Sequence, residues 1–531
     1  MDDRYIAAVD LGTSKIAVTV AQVSSKGVQM LYYRETPSEG IRNSYVFNPQ
    51  KAADRVRKAL SDAEDELKIK IHQVVTGLPR YEVTQVNARA EFERSDGESA
   101  ITREEIDFLK NNAIDTYPLP DPERQIMYGV VAQSFTTEEY LNARESDIEG
   151  MVSDTLEGNF KVFVGRKRHS DNVDRVMNQV GVAVAKKYFQ PEITANAILS
   201  DEERENGVAL IEIGAGATSV TIYHNDIMRY YSSIPFGGRS ITNDIKLECG
   251  TSESLAENIK LGYGACMPEK LLTLRDKIIQ INNRESGSCK QLSVKYLSEV
   301  ITCRVKEIID ACLYKIQESG FGGNLRNGIV LTGGSAAIPN LSTYVKELSG
   351  YNIRIGYPRQ RFSYVGCPEV NETSAAASVG MVMAAKDNHY LNCLSEPPAG
   401  FGEDGQQTEG APSVSDAGDP FFSEGPFGQS DHSFQTERSE ESDYQDSGVE
   451  AKSTVEDEDK LRKKEEQDAR RRERDAAREA ARKAKEEQRA QAAEERRKRF
   501  NVKWKPIEAI TRKVTNAVGK IIDTGYDGME E

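Results

Sequence analysis

A single turn design that occurs twice is the feature that most constrains how this chain can fold. Near the start, the strand-like run IAAVD brings in Asp10, then Gly12-Thr13-Ser14-Lys15, then a second apolar run, IAVTVAQV. Further along, VALIEI carries Glu212, followed by Gly214-Ala215-Gly216-Ala217-Thr218 and the run SVTIYH. A small-residue turn between antiparallel strands lets backbone N–H groups approach phosphate oxygens closely, since no Cβ intervenes. A carboxylate just before each turn is placed to hold Mg²⁺ through water, and Lys15 adds a point charge. Either turn alone reads equally well as an ordinary glycine hairpin, but recurrence with the same acid placement favours phosphate binding. A third element, GIVLTGGSAAI, ends a buried-type strand in Gly333-Gly334-Ser335 before a helix. Paired glycines at such a junction allow backbone contact with a nucleotide's sugar and α-phosphate. Alone this is a weak signal, because glycine often serves geometry there.

The rest of the chain sets the scale and the partners. At 531 residues it is too long for one core, so at least two domains are expected. A net charge of −16 argues against broad nucleic-acid binding, which needs a basic footprint. Cysteines 249, 266, 289, 303, 312, 367 and 393 form no CxxC pair and lie scattered among apolar stretches. That usage fits reduced thiols and neither a disulfide framework nor a zinc site. The acidic opening MDDRYIAAVD enters a strand pattern at once, so no secretory leader is expected, and no apolar run reaches spanning length. Membrane contact would therefore be peripheral.

Over residues 1–390, strand runs alternate with longer helical patterns, such as Glu299–Ile316 with Val300, Ile301, Ile308, Ile309, Leu313 and Ile316 on one face. This alternation predicts an α/β fold. From about Cys393 to Glu450 the composition turns to Gly, Ser, Asp and Glu, with Arg438 the sole Lys or Arg after Phe401. Such a stretch buries too little apolar surface to offset its chain entropy and is expected to be a disordered acidic linker. Glu456–Arg499 alternates acidic and basic blocks with many alanines and no heptad seam. It reads as a solvated single helix held by i,i+4 charge pairs, a spacer of about 1.5 Å per residue. Beyond it, Trp504, Ile507, Ile510, Val514, Val518 and Ile521 recur at spacings of three or four, flanked by Lys503, Lys505, Arg512, Lys513 and Lys520. A basic amphipathic helix carrying the chain's sole tryptophan, beyond a long polar tether, predicts an interfacial membrane anchor. The alternative, docking on the protein's own core or on a partner, is disfavoured by that tether. One such helix binds weakly, so self-assembly would make attachment multivalent.

In this order the three glycine elements resemble the two phosphate loops and the adenosine loop of the actin, sugar-kinase and heat-shock ATPase superfamily. Further stretches resemble the FtsA family of cell-division proteins within it: Asn196–Glu203, IPFGGRSITNDI at 234–245, CGTSESLAENIKLGYGAC at 249–266, LSEVITCR at 297–304 and GIVLTGGSA at 328–336. GMVSDTLEGNFKVFVG at 150–165 resembles the end of the insert that replaces one actin subdomain in that family.

The resemblance implies an actin-like, ribonuclease H-like duplicated fold. Residues 1–79 with 169–204 would form one lobe, 80–168 an inserted α+β subdomain that packs between protomers of a filament, and 205–387 the second lobe, with 241–318 its outer part. The linker at 388–455, the charged helix at 456–499 and the amphipathic helix at 500–523 would follow. It implies ATP and Mg²⁺, with Asp10 and Glu212 facing the metal. Asp10, Gly12, Thr13, Ser14 and Lys15 would form the first phosphate site, and Gly214, Gly216, Ala217 and Thr218 the second. Gly333, Gly334 and Ser335 would hold the nucleoside, with Glu257 and Lys260 flanking adenine. Gln190 sits where the superfamily orients the attacking water.

Lys295 and Arg304 match the region that binds the C-terminal peptide of the tubulin-like FtsZ. The implied role is an adaptor at the division site, on the cytoplasmic face of the bacterial inner membrane, that polymerises, recruits other division proteins and touches lipid but not nucleic acid. Against the family pattern D-x-G-G-G-T-x-D, Glu212 replaces the first Asp, Ala215 and Ala217 replace a glycine and the threonine, and Ser219 replaces the last Asp. ATP binding is thus better supported than efficient hydrolysis. A sugar-type kinase is disfavoured by the C-terminal amphipathic segment, a chaperone-type ATPase by the lack of a β-rich peptide-binding domain in the tail, and a different bacterial actin homologue by the insert at 80–168.

Overall fold

The computed structural model describes residues 4–394 apart from 95–96, 283–288 and 360. The linker beyond 394, the charged helix and the amphipathic helix with Trp504 to Ile521 lie outside the described residues.

The chain opens with an antiparallel meander, β1 (Arg4–Leu11), β2 (Lys15–Ser24) and β3 (Gly27–Pro37). Residues Ile6 to Val9 are buried without alternation, the pattern of a strand covered on both faces. Helix α1 (Pro49–Leu67) starts at Asn48, whose side chain accepts from the Lys51 N–H, with Pro49 in the first turn where a missing donor costs nothing. It buries Ala52, Ala53, Val56, Ala59, Leu60 and Ala63 against this sheet. Strand β4 (Gln73–Gly77) then runs parallel to β1.

A separate three-stranded antiparallel sheet follows, built from β5 (Thr84–Glu93), β6 (Gln125–Thr136) and β7 (Thr155–Arg166), with β7 central and α2 (Arg103–Thr116) packed on it. Its core holds Ile106, Leu109, Phe135, Leu156 and Phe160. The chain returns through α3 (Lys167–Val180), β8 (Ala183–Tyr188), which pairs parallel with β4, and α4 (Gln190–Ile198).

The second half repeats the first. Strands β9 (Val208–Ile213), β10 (Thr218–His224) and β11 (Ile227–Ile234) form an antiparallel meander. Helices α5 (Gly238–Cys249), α6 (Glu253–Tyr263) and α7 (Val294–Glu318) cover it. Strands β12 (Ile329–Thr332) and β13 (Ile353–Ile355) then add in parallel beside β9. The sheet orders β8-β4-β1-β2-β3 and β13-β12-β9-β10-β11 have the same connectivity, a duplicated ribonuclease H-like topology. Residues 363–364 extend the first sheet beside β3. Helix α8 (Ala376–Ala385), apolar around most of its circumference, is buried against α4, where Gly380 lets the backbones close: a Cβ there would lie 2.6 Å from Ile193 O.

The helix predicted over Glu299–Ile316 starts five residues earlier, at Val294. Its buried face runs through Leu297, Ser298, Ile301, Val305, Ile308, Ile309, Cys312 and Ile316, while Val300 and Leu313 are only partly buried. The polar Ser298 is accommodated because its hydroxyl donates to Ala265 O at 2.7 Å.

Candidate functional site

The repeated turns occupy equivalent places in the two sheets. In the first hairpin Asp10 pairs with Ala17, one step before the closing pair Leu11–Ile16; in the second, Glu212 pairs with Ser219, one step before Ile213–Thr218. A Cβ on Gly12 would sit 2.5 Å from Lys15 O, so only glycine lets the first turn close this tightly. The second turn closes with Gly214 N–H donating to Ala217 O at 3.1 Å.

The two turns face and touch each other. A Cβ on Gly216 would lie 2.6 Å from Thr13 Oγ1 and 2.9 Å from Asn43 N. Thr13 Oγ1 accepts from Ser44 N–H at 2.9 Å, which ties the first turn to the segment after β3. The second turn continues into α5, since Gly238 N–H donates to Gly214 O at 2.9 Å and Arg239 N–H to Ala215 O at 2.8 Å.

The third glycine element abuts this junction. Gly333 has φ +87°, and a Cβ there would lie 2.6 Å from Ile213 O, so glycine is required by both conformation and space. Ser335 Oγ would be 2.3 Å from a Cβ on Gly238, whereas Gly334 borders open space. Lys260 Nζ lies in the same corner, donating to Gly238 O at 3.2 Å and Thr242 Oγ1 at 2.9 Å and pairing with Glu257 at 2.7 Å. Through these contacts the three glycine elements, Glu257 and Lys260, distant in sequence, come together at the junction of the two sheets.

Gln190, from the start of α4, is 4% exposed and donates from Nε2 to Asp10 Oδ1 at 2.9 Å. Gly77 at the end of β4 makes room for it: a Cβ there would lie 3.1 Å from the Gln190 amide carbon. Asp10, Gly77, Pro79, Ser44 and Gln190 border a cavity of about 10 Å³, room for one water. Burial raises the Asp10 pKa, opposed by Arg80, Gln190 and Lys15.

Some side chains in the predicted set are turned to other partners. Lys15 Nζ is paired with Glu35, which also accepts from Tyr33 Oη at 2.6 Å and Ser374 Oγ at 2.9 Å. Burial disfavours the Glu35 charge, but Lys15 and these donors outweigh it and hold the pKa below the usual carboxylate range. The Thr218 hydroxyl donates to Phe236 O at 2.8 Å. Ser14 engages through its backbone, its carbonyl accepting from Ser38 N–H at 3.0 Å. On α7, Arg304 grips Asp244 with Nε at 2.5 Å and Nη2 at 2.9 Å and also meets Glu307. Lys295 makes only a loose 3.8 Å pair with Glu299 and stays 45% exposed.

The residue that sequence reasoning missed is Arg80. It follows β4 and Pro79, its side chain is 12% exposed, and its Nη1 is ion-paired with Glu212. Asp10 lies within reach of its charge: burial disfavours the Arg80 cation, but Glu212 and Asp10 outweigh burial and raise its pKa. Its carbonyl accepts from the Tyr231 hydroxyl, and Tyr231 is locked edge-on against Phe163 and Phe189. A Mg²⁺ held through Asp10 and Glu212 fits poorly with this arrangement. Mg²⁺ in such sites takes one or two carboxylates besides waters and phosphate oxygens, whereas here Glu212 is already held by a buried guanidinium and Asp10 by Gln190. Among the described residues, no group of three or more His, Cys, Asp or Glu is arranged to hold a metal.

The comparisons agree with this architecture. A family model described as "Cell division protein FtsA" matches residues 209–380. The FtsA of Neisseria meningitidis serogroup B is 30% identical over 363 residues, covering 67% of this chain and 84% of that protein. The Enterococcus hirae protein is 27% identical over 352 residues, covering 66% and 78%, and that of Escherichia coli K12 is 23% identical over 397, covering 73% and 92%. Among solved structures, the "PilM-PilN type IV pilus biogenesis complex" is similar with a TM-score of 0.51 at 14% identity, over 72% of this chain and 98% of that one. That likeness concerns the fold alone, which is actin-like. With this extent of sequence match to a curated relative, the chain belongs to the FtsA family of cell division proteins.

Proposed function

We propose that this protein is an ATP-binding, polymerising adaptor that tethers FtsZ filaments to the cytoplasmic membrane and helps assemble the septum. The observation that carries this reading is the meeting of three glycine elements, distant in sequence, at one junction, with Gln190 set on Asp10.

The chemistry follows from the side chains. The small residues of the two turns suit close approach of phosphate oxygens to their backbone N–H groups, apart from that of Gly214, which donates to Ala217 O. Lys260, Glu257 and Ser335 form the polar end where a nucleoside would lie. Gln190 spends its N–H on Asp10, which leaves Oε1 free to accept from a water in the adjoining cavity and orient it toward a phosphate. The second turn is poorly equipped for turnover: Glu212 is held by Arg80, Thr218 by Phe236 O, and Ser219 stands where an acid would act. Nucleotide occupancy, more than hydrolysis, is then the controlling state.

Membrane attachment would use the amphipathic segment 500–523, strengthened by assembly. On α7, Lys295 beside the half-exposed Tyr296 is better placed than Arg304 to receive the carboxylates of an FtsZ tail, since Arg304 is already paired. The direct test is titration with a fluorescent ATP analogue, alongside phosphate release, for the wild type and Gln190→Ala. Binding should persist within about threefold in the variant while turnover drops at least tenfold, as expected for a water-orienting group. A wild-type protein that binds no ATP contradicts the reading.

A further inference from the structure

The poor fit of a metal and the position of Arg80 lead to one inference, which rests on the nucleotide reading above. Arg80 is built into the cleft from all sides. Its backbone N–H donates to Ser44 Oγ at 3.3 Å, and Ser44 in turn donates to Thr13 in the first turn. Its carbonyl is held by Tyr231. Its Nη2 would lie 3.0 Å from a Cβ on Gly214, so the guanidinium lies directly over the second turn, where a side chain on residue 214 would displace it. Nη1 is paired with Glu212, and Nε is buried with no hydrogen-bond partner among the described residues.

A buried guanidinium with donors to spare, set between two phosphate-type turns, is a phosphate ligand in waiting. Its planar fork matches two phosphate oxygens at once and stays charged at any physiological pH. Little conformational freedom remains for it to lose on binding, because the surrounding contacts already fix it. A dication held by Glu212 would have to displace this cation or share its acid.

We propose that Arg80 supplies from within the chain the positive charge that Mg²⁺ would otherwise bring, so that this protein holds ATP through its β- and γ-phosphates without a divalent metal. Glu212 then acts as the positioning residue that aims Arg80.

The test uses full-length protein and ATP in isothermal titration calorimetry, once with Mg²⁺ and once with EDTA. The wild-type Kd should change by less than about threefold between the two. Arg80→Met should weaken binding in EDTA by about ten- to a hundredfold, the worth of a charge-assisted bidentate contact, and Mg²⁺ should restore part of the loss. Arg80→Met leaves Glu212 buried and unpaired, so Arg80→Met with Glu212→Gln provides a second variant that removes the stranded charge. It should show the same loss in EDTA. Wild-type binding that weakens more than about tenfold in EDTA overturns the proposal while leaving ATP binding intact. So does either variant that folds and binds ATP in EDTA as tightly as wild type. Absence of ATP binding by the wild type under both conditions instead removes the nucleotide reading on which the proposal stands.

Discussion

Gly216→Ala probes whether the two turns are held face to face. The added methyl would meet Thr13 at 2.6 Å from Oγ1 and 2.8 Å from Cγ2, and the backbone nitrogen of Asn43 at 2.9 Å. Ordinary contact needs about 3.5–4.0 Å, so the two hairpins must separate by up to about 1 Å. Thr13 cannot simply swing aside, because its hydroxyl accepts the Ser44 N–H at 2.9 Å. Overpacking of this kind costs about 1–3 kcal/mol, and losing the Thr13 hydrogen bond adds about 1 kcal/mol. The lower end of that sum, about 2 kcal/mol, corresponds to roughly thirtyfold in an equilibrium constant. Gly262→Ala is the matched control: it lies in α6, has no atom within 4 Å of the new methyl, and should stabilise the helix by about 0.5–1 kcal/mol. Thermal melting and ATP titration of both variants decide the matter. Gly216→Ala should melt lower and bind ATP about ten- to a hundredfold more weakly, while Gly262→Ala melts slightly higher and binds normally. A Gly216→Ala protein that melts and binds as the wild type does would refute the argument.

Two further outcomes follow from local electrostatics. Arg94, with a side chain 1% exposed, pairs with Glu105 and donates to Ser99 O at 2.9 Å and Ser153 O at 2.8 Å inside the inserted sheet. Arg94→Met should destabilise that subdomain by about 3–5 kcal/mol in urea unfolding. Arg94, and then the Thr102 N–H, hold the Glu105 pKa below 4.5. This stabilisation is therefore full above pH 4.5 and is lost as pH falls through the lower folded value; Glu105→Gln should flatten that part of the pH profile. In maleimide labelling mapped by mass spectrometry, exposed Cys303 should react long before Cys266 and Cys312, whose thiols burial pushes up to about 12.

Much of the site was legible because its signals are local. Each acid–glycine turn announces itself within a few residues, and Gly333 is explained by its own φ and its approach to Ile213 O. What escaped was what tertiary packing decides. Arg80 carries no local signal, since its partner Glu212 is on another sheet and only the fold brings them together. The same holds for Arg304, whose exposure could not be judged without knowing that Asp244 on α5 faces it. Nor does periodicity show that the polar Ser298 of α7 is buried, which its hydrogen bond to Ala265 O allows. Lys15 and Glu35 offered a weak clue, being close in sequence on neighbouring strands of opposite direction, where cross-strand charge pairs form.

If nucleotide occupancy of the cleft governs a weak, assembly-dependent anchor, liposome co-sedimentation with and without ATP tests it most directly. Full-length protein should pellet with anionic vesicles more strongly when ATP is present, and a version ending at Phe500, or the Trp504→Glu variant, should stay in solution under both conditions. Equal pelleting of the full-length and shortened chains would contradict the anchor, and pelleting of the full-length chain that ignores ATP would contradict nucleotide control.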